Sequence, residues 1–240
     1  MMFKHCRNYM RLYGGINVGY NHIDEMNRYS DRIKHNAVSD EQLNKLAKHN
    51  KDIYSQQDEV EKVIDGLKSL INVCGDNYER DGLEETPFRV LKAHLEYTEG
   101  YRENPAAHLE KTFDVDHNEL VIVKDIEFNS LCEHHFAPFH GRVHIGYIPD
   151  EKVTGLSKFG RLVDGYAKRF QVQERLTTQI ANAIDEVLEA QGVMVVVEAR
   201  HMCMCGRGIK KGTASTTTSA VRGRFQESAQ LRNEFLSLIK

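Results

Sequence analysis

Neither G-x-x-x-x-G-K-[ST] nor G-x-G-x-x-G occurs anywhere in this chain. Without a glycine-rich phosphate loop, any nucleotide must be gripped by other means, and phosphoryl transfer is not the expected chemistry. No apolar run approaches the roughly 18 to 20 residues that cross a bilayer, so no membrane association is expected. The start of the chain lacks the apolar middle of a secretory signal, and a cytoplasmic location is expected. Basic residues are not in excess: 32 Lys and Arg against 35 Asp and Glu leave a formal charge of −3. That argues against a general nucleic-acid binder. Cysteine is too scarce for a disulfide scaffold, five in 240 residues and odd in number. Cys132, Cys203 and Cys205 lie in two histidine-containing clusters, which in a reducing compartment favours metal binding or catalysis. Cys6 and Cys74 stand alone and read as a surface thiol and a small helix-end residue.

A chain of 240 residues can bury one substantial core, with an appendage. Residues 1–50 are polar without an apolar period, and read as a loosely structured extension with one short helix near 40–46. Residues 51–105 read as a helical segment. Val60, Val63, Ile64, Leu67, Leu70 and Ile71 recur at helical spacing, and Gly75 suits a left-handed cap. Thr86-Pro87 reads as an N-cap followed by proline at the first helical position. Residues 106–240 change period. A strand is expected over 120–128. A second, half-buried strand follows over 139–148, with Val143, Ile145 and Tyr147 on one face. Two helices come next, the first N-capped by Ser157, then a buried strand at 193–197 and a threonine-rich strand at 213–221. Two strands, two helices and two strands, without βαβ alternation, predict an α+β fold: a four-stranded antiparallel sheet with helices on one face.

Between the first two strands stands Leu131-Cys132-Glu133-His134-His135-Phe136. The C-x2-H spacing of Cys132 and His135 lets a thiolate and an imidazole reach one zinc ion from a single turn. A third ligand is expected in His201-Met202-Cys203-Met204-Cys205. Two sulfurs and one imidazole leave a tetrahedral zinc with an open fourth position for water, the signature of a catalytic site. His140 and His144 read as strand-face residues.

Residues 200–224 carry six basic side chains and no acidic one. Lys158 and Arg161 add two at a helix start, where backbone N–H groups already favour anions, pointing to a phosphate site. Glu174 can accept two hydrogen bonds side by side, as the adjacent ring N–H and amine of a guanine edge require. Taken alone, an acid in a first helical turn is more often a dipole-compensating surface residue. Arg89, the wrong sign for a helix N-terminus, reads by itself as an indifferent surface arginine.

Taken together, Thr86-Pro87-Phe88-Arg89, Cys132-Glu133-His134-His135, Gly155-Leu156-Ser157-Lys158, Gln171-Val172-Gln173-Glu174-Arg175-Leu176, His201-Met202-Cys203 with Arg207-Gly208, and Ser215-Thr216-Thr217-Thr218 resemble GTP cyclohydrolase I. They stand in family order over about residues 60–225. The resemblance implies a tunnelling fold (ββααββ, preceded by N-terminal helices) in a homodecamer of two pentameric rings, with active sites at subunit interfaces. It implies zinc-dependent conversion of GTP and water to formate and 7,8-dihydroneopterin triphosphate, a first step toward pterins and folate or deazaguanines. By the same resemblance Cys132, His135 and Cys203 are the zinc ligands, and His134 and His201 the acid–base residues. Gln173 and Glu174 recognise guanine and Ser157 lies near the ribose. Lys158, Arg161 and Arg207 clamp the triphosphate, with Arg89 reaching in from a neighbouring subunit. The chain departs from the family pattern at Gly160 and at Cys205-Gly206. If 202–205 continues the strand, Cys203 and Cys205 share a face and the second thiol competes for zinc. A non-enzymatic zinc module would recruit Cys205 as a fourth ligand. A 7-deazaguanine reductase would need a nucleophilic cysteine without the zinc triad.

Overall fold

A computed structural model describes residues 38–240. Helix α1, Asp40–Ala47, opens with a capping box in which the Ser39 hydroxyl and the Gln42 side chain satisfy each other's backbone N–H. Its Leu43 and Leu46, with Val38, are buried against Ile53, Val60 and Ile64. The expected short helix is therefore present, but it is packed onto the neighbouring helical segment rather than loose. Residues 1–37, with Cys6, lie outside the described residues.

Helix α2, Gln57–Val73, buries only Val60 and Ile64; Val63, Leu70 and Val73 are exposed, the last at 84%. Gly75 takes the expected left-handed conformation at φ +95°. Helix α3 is Thr86–Tyr97, and Thr86 is not its cap. Glu85 is already in the helical region, and the Thr86 hydroxyl donates back to the Gly82 carbonyl. A capping side chain needs extended backbone to fold over the first N–H groups, and here the chain arrives already turning.

The remaining strands and α-helices are β1 (Thr112–Asp114), β2 (Val121–Cys132), β3 (Pro138–Ile148), β4 (Lys152–Thr154), α4 (Ser157–Ala167), β5 (Phe170–Gln171), α5 (Gln173–Leu188), β6 (Gly192–His201), α6 (Met202–Cys205), β7 (Thr216–Gly223), α7 (Arg224–Glu227) and α8 (Ala229–Leu238). The α+β class stands. The main sheet has five strands rather than four, in the order β5-β2-β3-β6-β7, and β1 pairs with β4 separately. The four long strands run antiparallel. The extra strand is the two-residue β5, which pairs parallel to the end of β2 through Leu131–Phe170 and Cys132–Gln171. Among the described residues no helix is long and apolar enough to cross a membrane.

Helices α4 and α5 bury Phe159, Leu162, Leu176, Ile180 and Ile184 against Val143, Ile145, Tyr147, Val193, Val195 and Val197. The opposite face is also covered: Ile148, Met194 and Val196 meet Phe225 and Phe235 of α7 and α8. Two expectations are corrected here, since β3 is buried on both faces along 143–148 and helices lie on both sides of the sheet. Gly146 makes room for the second layer; a β-carbon there would stand 2.6 Å from the Phe235 ring. Phe235→Ala is expected to cost about 3–5 kcal/mol, the range for truncating a buried aromatic, read as a lowered urea midpoint by circular dichroism. A loss under about 1 kcal/mol would mean that α8 contributes little to this core.

Candidate functional site

Where β2 turns into β3, the chain makes one tight loop. The Cys132 N–H donates to the Ala137 carbonyl at 2.9 Å, and the Phe136 N–H donates to the Cys132 carbonyl at 2.8 Å. Phe136 closes the turn at φ +53°, a left-handed conformation that is unfavourable for a large side chain. Its ring stacks on Phe170 of β5 with centroids 4.5 Å apart, which offsets that strain. The turn brings the His135 Nδ1 to 3.9 Å from the Cys132 Sγ.

The third candidate donor follows β6, whose His201 is paired with Phe139 of β3. Directly after it, α6 turns Cys203 back toward the loop. Ligand atoms of Cys132, His135 and Cys203 all lie within 4.8 Å of one another. A tetrahedral zinc with Zn–S of about 2.3 Å and Zn–N of about 2.0–2.1 Å sets two sulfurs about 3.8 Å apart and sulfur from nitrogen about 3.5 Å apart. The donor set and spacing therefore fit such an ion. Burial and the neighbouring Cys132 both push the Cys203 thiol above its ordinary pKa, the behaviour of paired thiols that need a cation to ionise together.

Cys205 stands apart from this group. Because 202–205 is a helical turn and not a strand, residues two apart do not share a face. The Cys205 thiol points instead to the carbonyls of Lys211 and Gly212, at 3.6 and 3.9 Å. Among the described residues no fourth side chain joins the three. His134 Nδ1 is 3.8 Å from Cys132 Sγ, but its ring is largely exposed, 3.9 Å from the Glu133 carboxylate. Glu133 is held in turn by both arms of Arg175, at 2.7 and 3.1 Å, and this pair keeps its carboxyl below the usual range.

His201 is half-buried and firmly held. Its ring lies flat on Phe139, 4.6 Å between centroids and 3° between planes, and its Nε2 is 2.8 Å from the Gln173 Oε1. Burial holds its pKa below the ordinary imidazole value, with the nearby Glu174 charge opposing. Gln173 is only 1% exposed. Its amide nitrogen donates to the Val197 and Thr216 carbonyls, both at 2.9 Å, and meets the Thr218 hydroxyl at 3.1 Å. Each polar atom of the Gln173 side chain thus has a partner within this chain, whereas the resemblance sets it beside Glu174 against a guanine edge. Glu174, one residue on, is exposed.

Ser157 and Lys158 open α4, and Arg161 is one turn further on. Ser157 does not cap the helix, since Leu156 before it is already helical. Neither Lys158, Arg161 nor Arg207 has a carboxylate partner among the described residues, which leaves all three cations available to an anion. Arg89 lies against Glu85 one turn earlier. His140 is exposed on its strand. His144 is buried and accepts the Asp125 N–H at 3.2 Å, so both behave as strand-face residues. Three features escaped sequence reasoning: the Phe139 stack, the threonine contacts of Gln173, and the Glu133–Arg175 pair. None has a local signal, because each joins residues distant in the chain.

Residues 63–240 match the family described as GTP cyclohydrolase I. Curated relatives named GTP cyclohydrolase 1 are similar over most of the chain. That of Clostridium kluyveri is 49% identical over 179 residues, spanning 75% of this chain and 97% of the relative. That of Corynebacterium aurimucosum is 53% identical over 182 residues, 75% of this chain and 93% of the relative. That of Bacillus mycoides is 52% identical over 182 residues, 75% and 96%.

Proposed function

The chain belongs to the GTP cyclohydrolase I family, and from that premise we propose that it converts GTP and water to formate and 7,8-dihydroneopterin triphosphate at a zinc centre held by Cys132, His135 and Cys203. The observation that carries this reading is the closed trio of two thiols and one imidazole with a half-buried histidine, His201, fixed next to it in the chain. Zinc bound there supplies Lewis acidity and a water whose pKa is lowered to about 7.

The chain's own residues supply the rest. His201 delivers a proton to N7 of the purine, making C8 more electrophilic, and His134, exposed on the metal loop, serves the later transfers of deformylation and ribose rearrangement. Glu174 accepts the two donors of the guanine edge. Ser157 lies against the ribose. Lys158, Arg161 and Arg207 hold the triphosphate, so the substrate stays anchored while its rings open and reclose.

Arg89 completes that clamp from a neighbouring subunit, in a decamer of two pentameric rings with a tunnelling fold. Two surfaces support assembly. Among the described residues the eight-residue β7 ends the sheet with an unpaired edge, a template for another strand. Helix α2 leaves Val63, Leu70 and Val73 exposed on one element. The residues before 51 form an N-terminal extension, 51–105 a helical segment and 106–240 the catalytic domain of a cytoplasmic enzyme.

The test is direct. Zinc-loaded protein incubated with GTP should release one formate for each pterin formed, the pterin followed by fluorescence after oxidation. GTP left intact by folded, zinc-containing protein would sink the reading.

A further inference from the structure

Gln173 sits beside the residue expected to read guanine, yet its side chain faces the other way. A primary amide has two N–H donors and one carbonyl acceptor. Both donors have backbone carbonyls to meet, Val197 from β6 and Thr216 from β7, each at 2.9 Å. Turning the amide over would press its oxygen against two other carbonyl oxygens, so the network itself settles which atom is which. The amide oxygen is therefore the atom that faces the His201 Nε2 at 2.8 Å. An oxygen without a hydrogen accepts only, so Nε2 is the donor in this contact, and Nδ1 is the ring nitrogen that Gln173 leaves unengaged.

The support extends outward. The Thr177 hydroxyl donates to the Gln173 backbone carbonyl at 2.7 Å and lies 2.6 Å from the Thr218 hydroxyl, which in turn touches the Gln173 amide. Phe139, fully buried, fixes the plane of the His201 ring from the other side. One ring is thus constrained in position, plane and tautomer.

We propose that Gln173 is a positioning residue for His201: it commits Nε2 as a donor, presents Nδ1 to the substrate, and does not contact guanine. This rests on the cyclohydrolase reading above and deepens it. Holding an acid–base group in its working geometry accounts for a rate factor of about 10²–10⁴, and residues acting as one unit give non-additive losses.

The experiment compares Gln173→Leu, His201→Ala and the double variant as zinc-loaded proteins. It measures kcat, the equilibrium dissociation constant of GTP, the preference for GTP over ITP, which lacks the 2-amino group, and bound zinc. Gln173→Leu is expected to lower kcat about 100-fold, leaving zinc content, GTP affinity and the GTP:ITP ratio within about twofold. The double variant should be no slower than His201→Ala. A collapse of the GTP:ITP ratio, or of GTP affinity at unchanged kcat, would assign Gln173 to guanine and overturn the proposal. So would a double variant that shows both losses in full. Should Gln173→Leu fail to fold, Thr218→Val removes one contact of the amide and nothing from His201. A lower kcat at unchanged GTP affinity supports the proposal there, and an unchanged kcat overturns it. Inactivity of the unsubstituted enzyme toward GTP would instead refute the underlying reading.

Discussion

Cys203→Ala is expected to emerge from zinc-replete cells with little bound metal and no measurable formate release. The site has three protein donors and no fourth among the described residues. Removing one leaves a thiol and an imidazole, too few to hold zinc in competition with cellular ligands. Loss of even an outer-sphere partner typically lowers metal affinity 10–100-fold, about 1.4–2.7 kcal/mol, and a direct ligand contributes more. Cys132→Ala should behave alike, with added instability because Cys132 is also part of the main core.

Cys205→Ala is the control. Its thiol is turned to the carbonyls of 211 and 212, so that variant should retain both zinc and rate. A chelator should abolish activity and added zinc restore it. The pH dependence has a defined sign: the metal binds thiolates, and burial together with Cys132 raises the Cys203 thiol. Binding at neutral pH therefore displaces protons, and zinc is held less tightly as pH falls. Stoichiometric zinc and full activity in Cys203→Ala would end this account of the site.

Glu174→Ala should abolish the discrimination between GTP and ITP. The carboxylate offers two adjacent acceptors to two adjacent donors of guanine, and ITP presents only the ring N–H. Hydrogen bonds to a charged group contribute roughly 1.5–3 kcal/mol each, so losing the pair should raise KM for GTP by about 100-fold or more. The native enzyme should prefer GTP strongly, and the variant should treat the two nucleotides nearly alike. Should Glu174 act only through its charge on His201, kcat would fall while the GTP:ITP ratio stayed put. An unchanged ratio is the outcome that removes Glu174 from the guanine site.

The Cys132–His135 turn was the most legible part of the candidate site. The two residues belong to one turn, so spacing alone brings their donor atoms together. Residue spacing did not decide between Cys203 and Cys205, and only the family resemblance named Cys203, because alternation along a strand stops applying once the chain coils into α6. Thr86 and Ser157 carry the chemistry of helix caps, yet each is preceded by a residue already helical, and residue type cannot report backbone geometry. The surroundings of Gln173 were not legible for another reason. Its partners Val197 and Thr216 lie 24 and 43 residues away, and only the closing of β6 and β7 over α5 turns that side chain inward.

Local order in this protein arises from its residues in sequence. Strand and helix periods, the thiolate–imidazole pair of one turn and the concentration of basic side chains after residue 200 all come from interactions spanning a few positions. The packed state alone sets which thiol joins Cys132 and His135, which way Gln173 faces, and that α8 seals the second face of the sheet with Phe235. Those outcomes depend on which distant surfaces meet when apolar area leaves water, and no short stretch of chain contains that information.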